Sequence, residues 1–288
     1  MAPRAPAPTT LDIVGAPELF APGIISTAHS EGLLTISPDG NTALWFSRNR
    51  PGGPGGYDLW ISRRAHGTWS AAQPVEFNSP SRDFDPAFSA DGTSVYFSSD
   101  RAGGFGGDDI YRVDVTTRGF GDPQNVGADV NSAGNEWAPM LSADGTTLLF
   151  SSNGRGGAGR MDLFTALRQA RGFAPAAPMA GAINTTADEF DATFVETAAF
   201  VIFSRANDLR ADDVNLYYAP LTGSGYGGGT RLSHQVNTSG KSTYAPMLDW
   251  SRPGRITFTG QRPEATSGAA DVYVVDYRFG HRARPMPR

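Results

Sequence analysis

Cysteine is absent from this 288-residue chain, which excludes disulfide scaffolds, thiolate zinc sites, iron–sulfur clusters and cysteine nucleophiles. Lysine is almost absent as well, because Lys241 is the only lysine among 24 basic residues, and 29 acidic residues give a net charge of −5. An acidic chain of this kind does not favour nucleic-acid binding. The sequence also lacks any apolar run of about 18 residues, which argues against a membrane-spanning helix.

Glycine, proline and aromatic residues are what the chain has in abundance. It contains 35 glycines and 21 prolines, and aromatic residues make up 11% of it. Disordered chains rarely hold so many large rings, so this composition predicts a folded protein with many turns.

A segment of the sequence recurs five times. The last apolar residue before a predicted turn recurs at spacings of 52, 53, 53 and 54 residues, at Ile36, Phe88, Leu141, Phe194 and Leu248. A second position repeats with the same period at Asp58, Asp109, Asp162, Asn215 and Asp271, and a third as Asn-Ser or Asn-Thr at Asn78, Asn131, Asn184 and Asn237. Three registers with one period indicate a repeat architecture.

Each repeat predicts four short β-strands, here termed A to D in chain order. Runs such as SVYFSS are typical of strands, the Asp-Gly pairs favour tight A–B hairpins, and glycine-rich segments follow strand B. Such units arranged radially make an all-β, five-bladed β-propeller with four antiparallel strands per blade. The last repeat lacks its strand D, so the N-terminal segment is predicted to complete that blade by pairing residues 19–26 with residues 271–277. Closure removes the open edge and favours a monomer.

The repeated motif S-P/A-D-G followed by F-S-S-x-R-x-G-G-x-G-x-D-I/L-Y/W resembles the WD40-like (PD40) repeat of TolB-type β-propellers. The resemblance covers residues 9–280, predicted as a single propeller domain between a disordered tail (1–8) and a flexible basic tail (281–288). Blade four departs from the motif, with Glu196-Thr197-Ala198 at the turn. The resemblance implies a periplasmic or secreted bacterial cell-envelope protein that binds a ligand or an envelope protein. The N-terminus shows no secretory signal, which leaves a cytoplasmic location as the alternative.

An arginine after strand B accompanies an aspartate at the start of strand C in four of the blades. The pairs are Arg50 with Asp58, Arg101 with Asp109, Arg155 with Asp162, and Arg262 with Asp271. Blade four has Asn207 and Asn215 instead, so both members change together. This pattern predicts a salt bridge that closes each B–C loop.

The start of strand A, the innermost strand, is acidic in four blades. The residues are Glu31, Asp83, Glu136, Glu189 and, in blade five, Thr243. Radial symmetry predicts that they surround one channel mouth, where they bind a small polar or cationic ligand, with Ca²⁺ in the channel as one candidate. The alternative is that each carboxylate accepts hydrogen bonds from the neighbouring Asn-Ser turn. Asp85 and Asp191 lie two residues further along.

His29 precedes this acidic ring, and aromatic residues adjoin it at Phe84, Trp137, Phe190 and Tyr244. Trp137 and Tyr244 are the predicted aromatic rim of the site, although packing between blades is the alternative for all four rings. Two functions follow from these residues. The first is a binding module, and the second is a hydrolase or lyase that uses channel carboxylates on a carbohydrate or another polar molecule. No nucleophile–base pair is evident, which favours binding.

Overall fold

The computed structural model describes residues 10–195, 197–262 and 270–280, and every regular element in those residues is a β-strand. The two predicted tails and Glu196 lie outside the described residues. Within these ranges no helix is long and apolar enough to cross a membrane. The predicted all-β class is confirmed.

The strands form five sheets, which are the five blades. Blade one contains β2 (Ser30–Ile36), β3 (Thr42–Arg48), β4 (Tyr57–Ala65), β5 (Thr68–Trp69) and β6 (Gln73–Pro74). Blade two contains β7 (Asp83–Phe88), β8 (Ser94–Ser99), β9 (Asp109–Thr116), β10 (Gly119–Phe120) and β11 (Gln124–Asn125). Blade three contains β12 (Glu136–Leu141), β13 (Thr147–Ser152), β14 (Asp162–Leu167) and β15 (Ala177–Pro178). Blade four contains β16 (Asp188–Val195), β17 (Phe200–Ala206), β18 (Asn215–Thr222), β19 (Gly225–Tyr226) and β20 (Thr230–Arg231). Blade five contains β21 (Thr243–Leu248), β22 (Arg255–Gly260), β23 (Asp271–Gly280) and β1 (Thr10–Leu19).

The outer strand is short in blades one to four, where each of its pieces is two residues long. In blades one, two and four it is divided into two short pieces that pair with strand C at separate places. Blade five is different because its outer strand, β1, is ten residues long.

The N-terminal strand closes the ring as the sequence predicts, but in a different register. Thr10 pairs with Gly280 and Leu19 with Tyr273, so the strand ends where the predicted one begins. Residues 20–26 form a turn instead, in which Ile25 is fully buried and the Ser26 hydroxyl donates to the Val272 carbonyl at 3.1 Å. The N-terminal segment therefore contributes both the last outer strand and the D–A turn that leads into blade one.

The core lies between the blades. Strand β8 is buried at all six positions, because each face of its sheet packs against a neighbouring blade. This explains why the B strands are continuous apolar and hydroxyl runs and do not alternate with charged residues. The five A strands contact one another in a circle and line the axis of the propeller.

Every A strand contains a bulge with one residue in the left-handed region. These residues are Leu33, Asp85, Ala138, Asp191 and Ala245, with φ between 36° and 53°. The pairing of strands A and B is interrupted at this point in all five blades. A non-glycine residue at positive φ is strained, and each of the five A strands carries one, so backbone strain is stored around the axis.

The predicted Arg–Asp bridges across the B–C loops are wrong. Asp109 accepts from the Phe105 amide at 2.6 Å, and Asp162 from the Gly159 amide at 3.1 Å, so these aspartates hold their own loops by backbone bonds. The arginines turn to the preceding D–A turn, where Arg155 donates to the Val130 carbonyl at 3.0 Å. Arg101 pairs with Asp83 at 2.6 Å and not with Asp109.

Candidate functional site

The acidic ring lies at the D–A turns, where each carboxylate is bonded to the residue four positions before it. The Ser132 amide and hydroxyl donate to Glu136 at 2.9 and 2.5 Å, and those of Thr185 donate to Glu189 at 2.8 and 2.6 Å. The same bonds link Thr27 to Glu31 and Ser79 to Asp83. The carboxylates are at most 1% exposed. Turn stabilisation, which the sequence left as an alternative, accounts for their contacts.

Two arginines neutralise members of this ring. Arg101 reaches Asp83 at 2.6 Å, and Arg205 reaches Glu189 at 2.7 Å. Arg205 supplies in blade four the guanidinium that Arg101 supplies in blade two, although it stands two residues before Asn207, the position that matches Arg101 in the repeat. Each guanidinium also stacks on two aromatic rings of its blade, about 5 Å from their centroids.

Burial is the main influence on the pKa values of the carboxyl groups in the acidic ring. It raises the pKa of Glu31 to about 7, against the opposing effect of the hydrogen bonds from Thr27, and the negative charge of Asp271 adds to the rise. Burial also raises the pKa of Glu136 and that of Glu189. The fifth position, Thr243, is 1% exposed and donates to the Val236 carbonyl at 3.2 Å. A ligand role for these five positions stays a prediction.

The remaining predicted residues lie around the propeller axis, on the face that carries the B–C loops. This face is called the B–C face here. His29 is half-buried in the turn before β2, where its amide donates to the Thr27 hydroxyl. Trp137 and Tyr244 are half-buried, whereas Phe84 and Phe190 are 7% exposed and pack between blades. Blade one has Gly32 at this position, and the Phe46 ring occupies the space that a side chain would take.

Two aspartates at the bulge break the five-fold pattern. The bulge residues are Leu, Asp, Ala, Asp and Ala, and the fold needs no polar group there. Asp85 accepts from the Ala138 amide at 3.2 Å, whereas the Ala245 amide, at the equivalent place beside Asp191, donates to the Ser204 hydroxyl at 3.3 Å. They are 5% and 7% exposed, the most accessible of the five bulge residues. The repeat alignment contained this signal, because asymmetry inside a symmetric ring is visible from the sequence.

The two aspartates affect each other electrostatically. Burial raises the pKa of Asp191 to about 7. Burial and the charge of Asp191 raise the pKa of Asp85 well above its ordinary value. Burial and the negative charge of both aspartates also raise the pKa of the Tyr244 hydroxyl. Two buried carboxyls that influence each other do not both ionise readily, so the pair favours a state in which one of them is protonated or a cation is nearby.

A buried hydroxyl next to this pair has no hydrogen-bond partner. In blades three and four, Ser151 and Ser204 accept from the bulge amide of the following blade, at 3.1 and 3.3 Å. Ser98 has the equivalent position in blade two, but the amide it would bind, that of Ala138, donates to Asp85 instead. The Ser98 hydroxyl is 0% exposed and unpaired among the described residues.

Metal coordination by a larger set is not evident in the part of the chain that the structure describes. No three His, Asp or Glu side chains come together there in a way that could hold an ion.

The comparisons with known proteins give a likeness of fold. The sequence matches no protein-family model and no curated protein. The α-L-arabinofuranosidase PaAbf62A from Podospora anserina is 11% identical with a TM-score of 0.55, over 95% of this chain and 98% of that one. An endo-arabinase from Bacteroides thetaiotaomicron (12%, TM-score 0.55, 88% and 96%) and a putative TolB from Agrobacterium tumefaciens (12%, TM-score 0.52, 88% and 91%) are similar to the same degree. The chain is a β-propeller. Identity this low carries the fold and no activity.

Proposed function

We propose that this propeller is a binding protein for a small cationic ligand, held at the B–C end of the channel beside Asp85 and Asp191. The observation that carries the proposal is the placement of two buried carboxylates at bulge positions where the repeat otherwise has Leu or Ala. A positive group between them would relieve their mutual repulsion, which no arginine or lysine does in the described residues. Trp137 and Tyr244 would line the approach from the B–C face, and an envelope location remains part of this proposal.

Isothermal titration calorimetry with glucosamine, putrescine and calcium tests the proposal. The double variant Asp85→Asn, Asp191→Asn keeps the size and the acceptor oxygens but removes both charges. We expect its affinity for the amine that binds the parent to fall at least tenfold, and parent binding to weaken with salt.

Asp276→Asn is the matched control, because Asp276 pairs with Arg255 at the opposite end of the blade. It should leave binding unchanged. Unchanged affinity in the channel double variant, or no binding of any of the three probes to the parent, contradicts the proposal.

A glycoside hydrolase is the second candidate, favoured by the same pair because raised pKa values suit a general acid. The arabinan-degrading enzymes among the structural neighbours have the same fold, which is compatible with this function. Hydrolysis of 4-nitrophenyl α-L-arabinofuranoside that is lost in Asp85→Asn would support catalysis. Binding without turnover would support the first proposal.

A further inference from the structure

A recess of 140 Å³ lies on the B–C face between blades three and four. Its walls include an indole, two amides, a guanidinium and a carboxylate, which belong to Trp137, Asn135, Asn153, Arg160 and Asp188. The recess is small and mostly polar, with one aromatic ring, so it has room for one ring-sized group and not for a large ligand.

Asp188 has one carboxylate oxygen without a partner. Its Oδ2 accepts from Arg160 at 2.6 Å and from the Leu209 amide at 2.9 Å. Its Oδ1 is buried and has no hydrogen bond among the described residues, and the side chain as a whole is only 1% exposed. A buried acceptor of this kind loses free energy until a donor reaches it.

The indole of Trp137 is fixed in its orientation by a hydrogen bond. Its Nε1 donates to Oδ2 of Asp108 at 2.8 Å, which fixes the ring while leaving it half-buried at the recess. A fixed aromatic face loses little entropy when an apolar surface packs on it.

The two asparagines present amide donors. The Oδ1 of Asn135 accepts from the Asp108 amide at 3.0 Å, and the Oδ1 of Asn153 accepts from the Asn135 amide at 2.8 Å. Both oxygens are thus occupied, and neither Nδ2 group donates within the described part of the chain. These groups are free to donate to a ligand oxygen.

Ion pairs span the equivalent position between blades two and three. There Arg82 pairs with Asp100 at 3.0 Å and with Asp108 at 2.7 Å, and Asp108 has partners on both oxygens. An open recess is therefore not a requirement of the repeat. Blade three has one because Asn135 and Asn153 stand where blade two has Arg82 and Asp100.

We propose that this recess binds a neutral, polyhydroxylated ring such as a sugar residue. The apolar face of the ring would pack on Trp137, and its hydroxyl groups would donate to Asp188 and accept from Asn153. A neutral ligand fits because the charges around the recess balance: Arg160 contacts Asp188 and Asp208, and Arg210 supplies the second positive charge. The two sites share Trp137 but no carboxylate, so carboxylate and amide variants separate this inference from the channel proposal.

Proton–nitrogen NMR of the tryptophan indole groups, with cellobiose as the probe, tests the inference. The Trp137 signal, assigned from Trp137→Phe, should shift on titration. Asn153→Asp retains the acceptor for the Asn135 amide, as Asp100 does for Arg82 in blade two, but loses the donor. We expect about a fivefold loss of affinity, equivalent to one hydrogen bond.

Asn207→Asp is the matched control, since it adds the same charge at an exposed position nearby but outside the recess. It should bind cellobiose like the parent, and so should the channel variant Asp85→Asn, Asp191→Asn. A Trp137 signal that does not move, or an equal loss in Asn153→Asp and Asn207→Asp, overturns the inference whatever becomes of the channel proposal.

Discussion

At the scale of single residues, Arg101 illustrates how a repeat can suggest the wrong partner. Arg101 and Asp109 vary together along the sequence, yet the guanidinium reaches Asp83, the Phe77 carbonyl and the Ser99 hydroxyl. Covariation of two positions across blades reflects that both belong to the same loop, and it does not require contact. The buried charge that Arg101 balances is that of Asp83, which is 0% exposed.

Arg101→Ala should lower the free energy of unfolding by about 3 kcal/mol, because it leaves the buried carboxylate of Asp83 without its counter-charge. Urea denaturation measures the loss. Arg252→Ala, which removes an exposed pair with Asp276, should cost only about 0–1 kcal/mol. A double-mutant cycle should show coupling of Arg101 with Asp83 and additive effects with Asp109. The reverse pattern would restore the B–C loop bridge.

The channel aspartates predict a pH dependence of stability. Burial raises the pKa of Asp191 to about 7, so the folded protein keeps a proton that the unfolded chain releases above about pH 4. This group therefore lowers the free energy of unfolding as the pH rises from about 4 to about 7. Glu31 acts in the same direction.

Asp191→Asn removes this effect and keeps the size of the side chain. The variant should be more stable than the parent at pH 8, and the difference should shrink toward pH 5. Urea denaturation at the two pH values measures it. A difference that is constant with pH would mean that Asp191 titrates as an ordinary aspartate.

At the scale of elements, β1 is the strand on which closure depends. Its pairing with β23 continues from Thr10 to Leu19 with one irregularity between Val14 and Glu18, and Leu11 is 4% exposed in the core. The other blades complete their own sheets with short outer pieces, so no other strand joins the two ends of the described chain.

Deleting residues 1–19 should expose the whole edge of β23 and produce both a lower melting temperature and self-association. Differential scanning calorimetry and sedimentation velocity report the two effects. Deleting residues 1–9, which leaves β1 intact, is the control. A shortened chain that melts like the parent and stays monomeric would show that β1 is dispensable for closure.

Gly32 is required by the packing between strands β2 and β3. A Cβ at this position would meet the ring of Phe46, which is inserted among the inner aromatic residues and contacts Phe84. Gly32→Ala should cost about 1–3 kcal/mol through overpacking. Gly223→Ala, with no atom within 4 Å of the added methyl, is the control. Equal thermal stability of the two variants would contradict this account of Gly32.

At the scale of the whole molecule, the sequence predicts most of the fold because the period is repeated. Five repeats, the A–B hairpins and closure by the N-terminal strand all follow from recurring residues. The register of β1 does not follow from recurring residues. Residues 20–26 resemble a strand in their apolar content, but they form the turn that places Ser26 against Val272. Local pattern does not distinguish a strand from an ordered turn that buries Ile25.

The candidate site is less predictable for a physical reason. A position shared by four of the five repeats, such as Glu136, carries a contact that those blades have in common, and in the structure this contact is with the D–A turn. The functional candidates are instead positions where one blade differs, such as Asp85, Asp191 and Asn153. Their burial and unpaired atoms depend on packing between blades, which a linear pattern does not contain.

The most direct test of the channel proposal is a carbon-13 NMR titration of the Asp85 and Asp191 carboxyl groups, assigned with the two Asn variants. We predict apparent pKa values above the ordinary aspartate range for both groups, mutual dependence of the two titrations, and a shift of both signals when the amine ligand binds. Independent titration at ordinary pKa values, with neither signal responding to ligand, would contradict the claim that these two residues form the site.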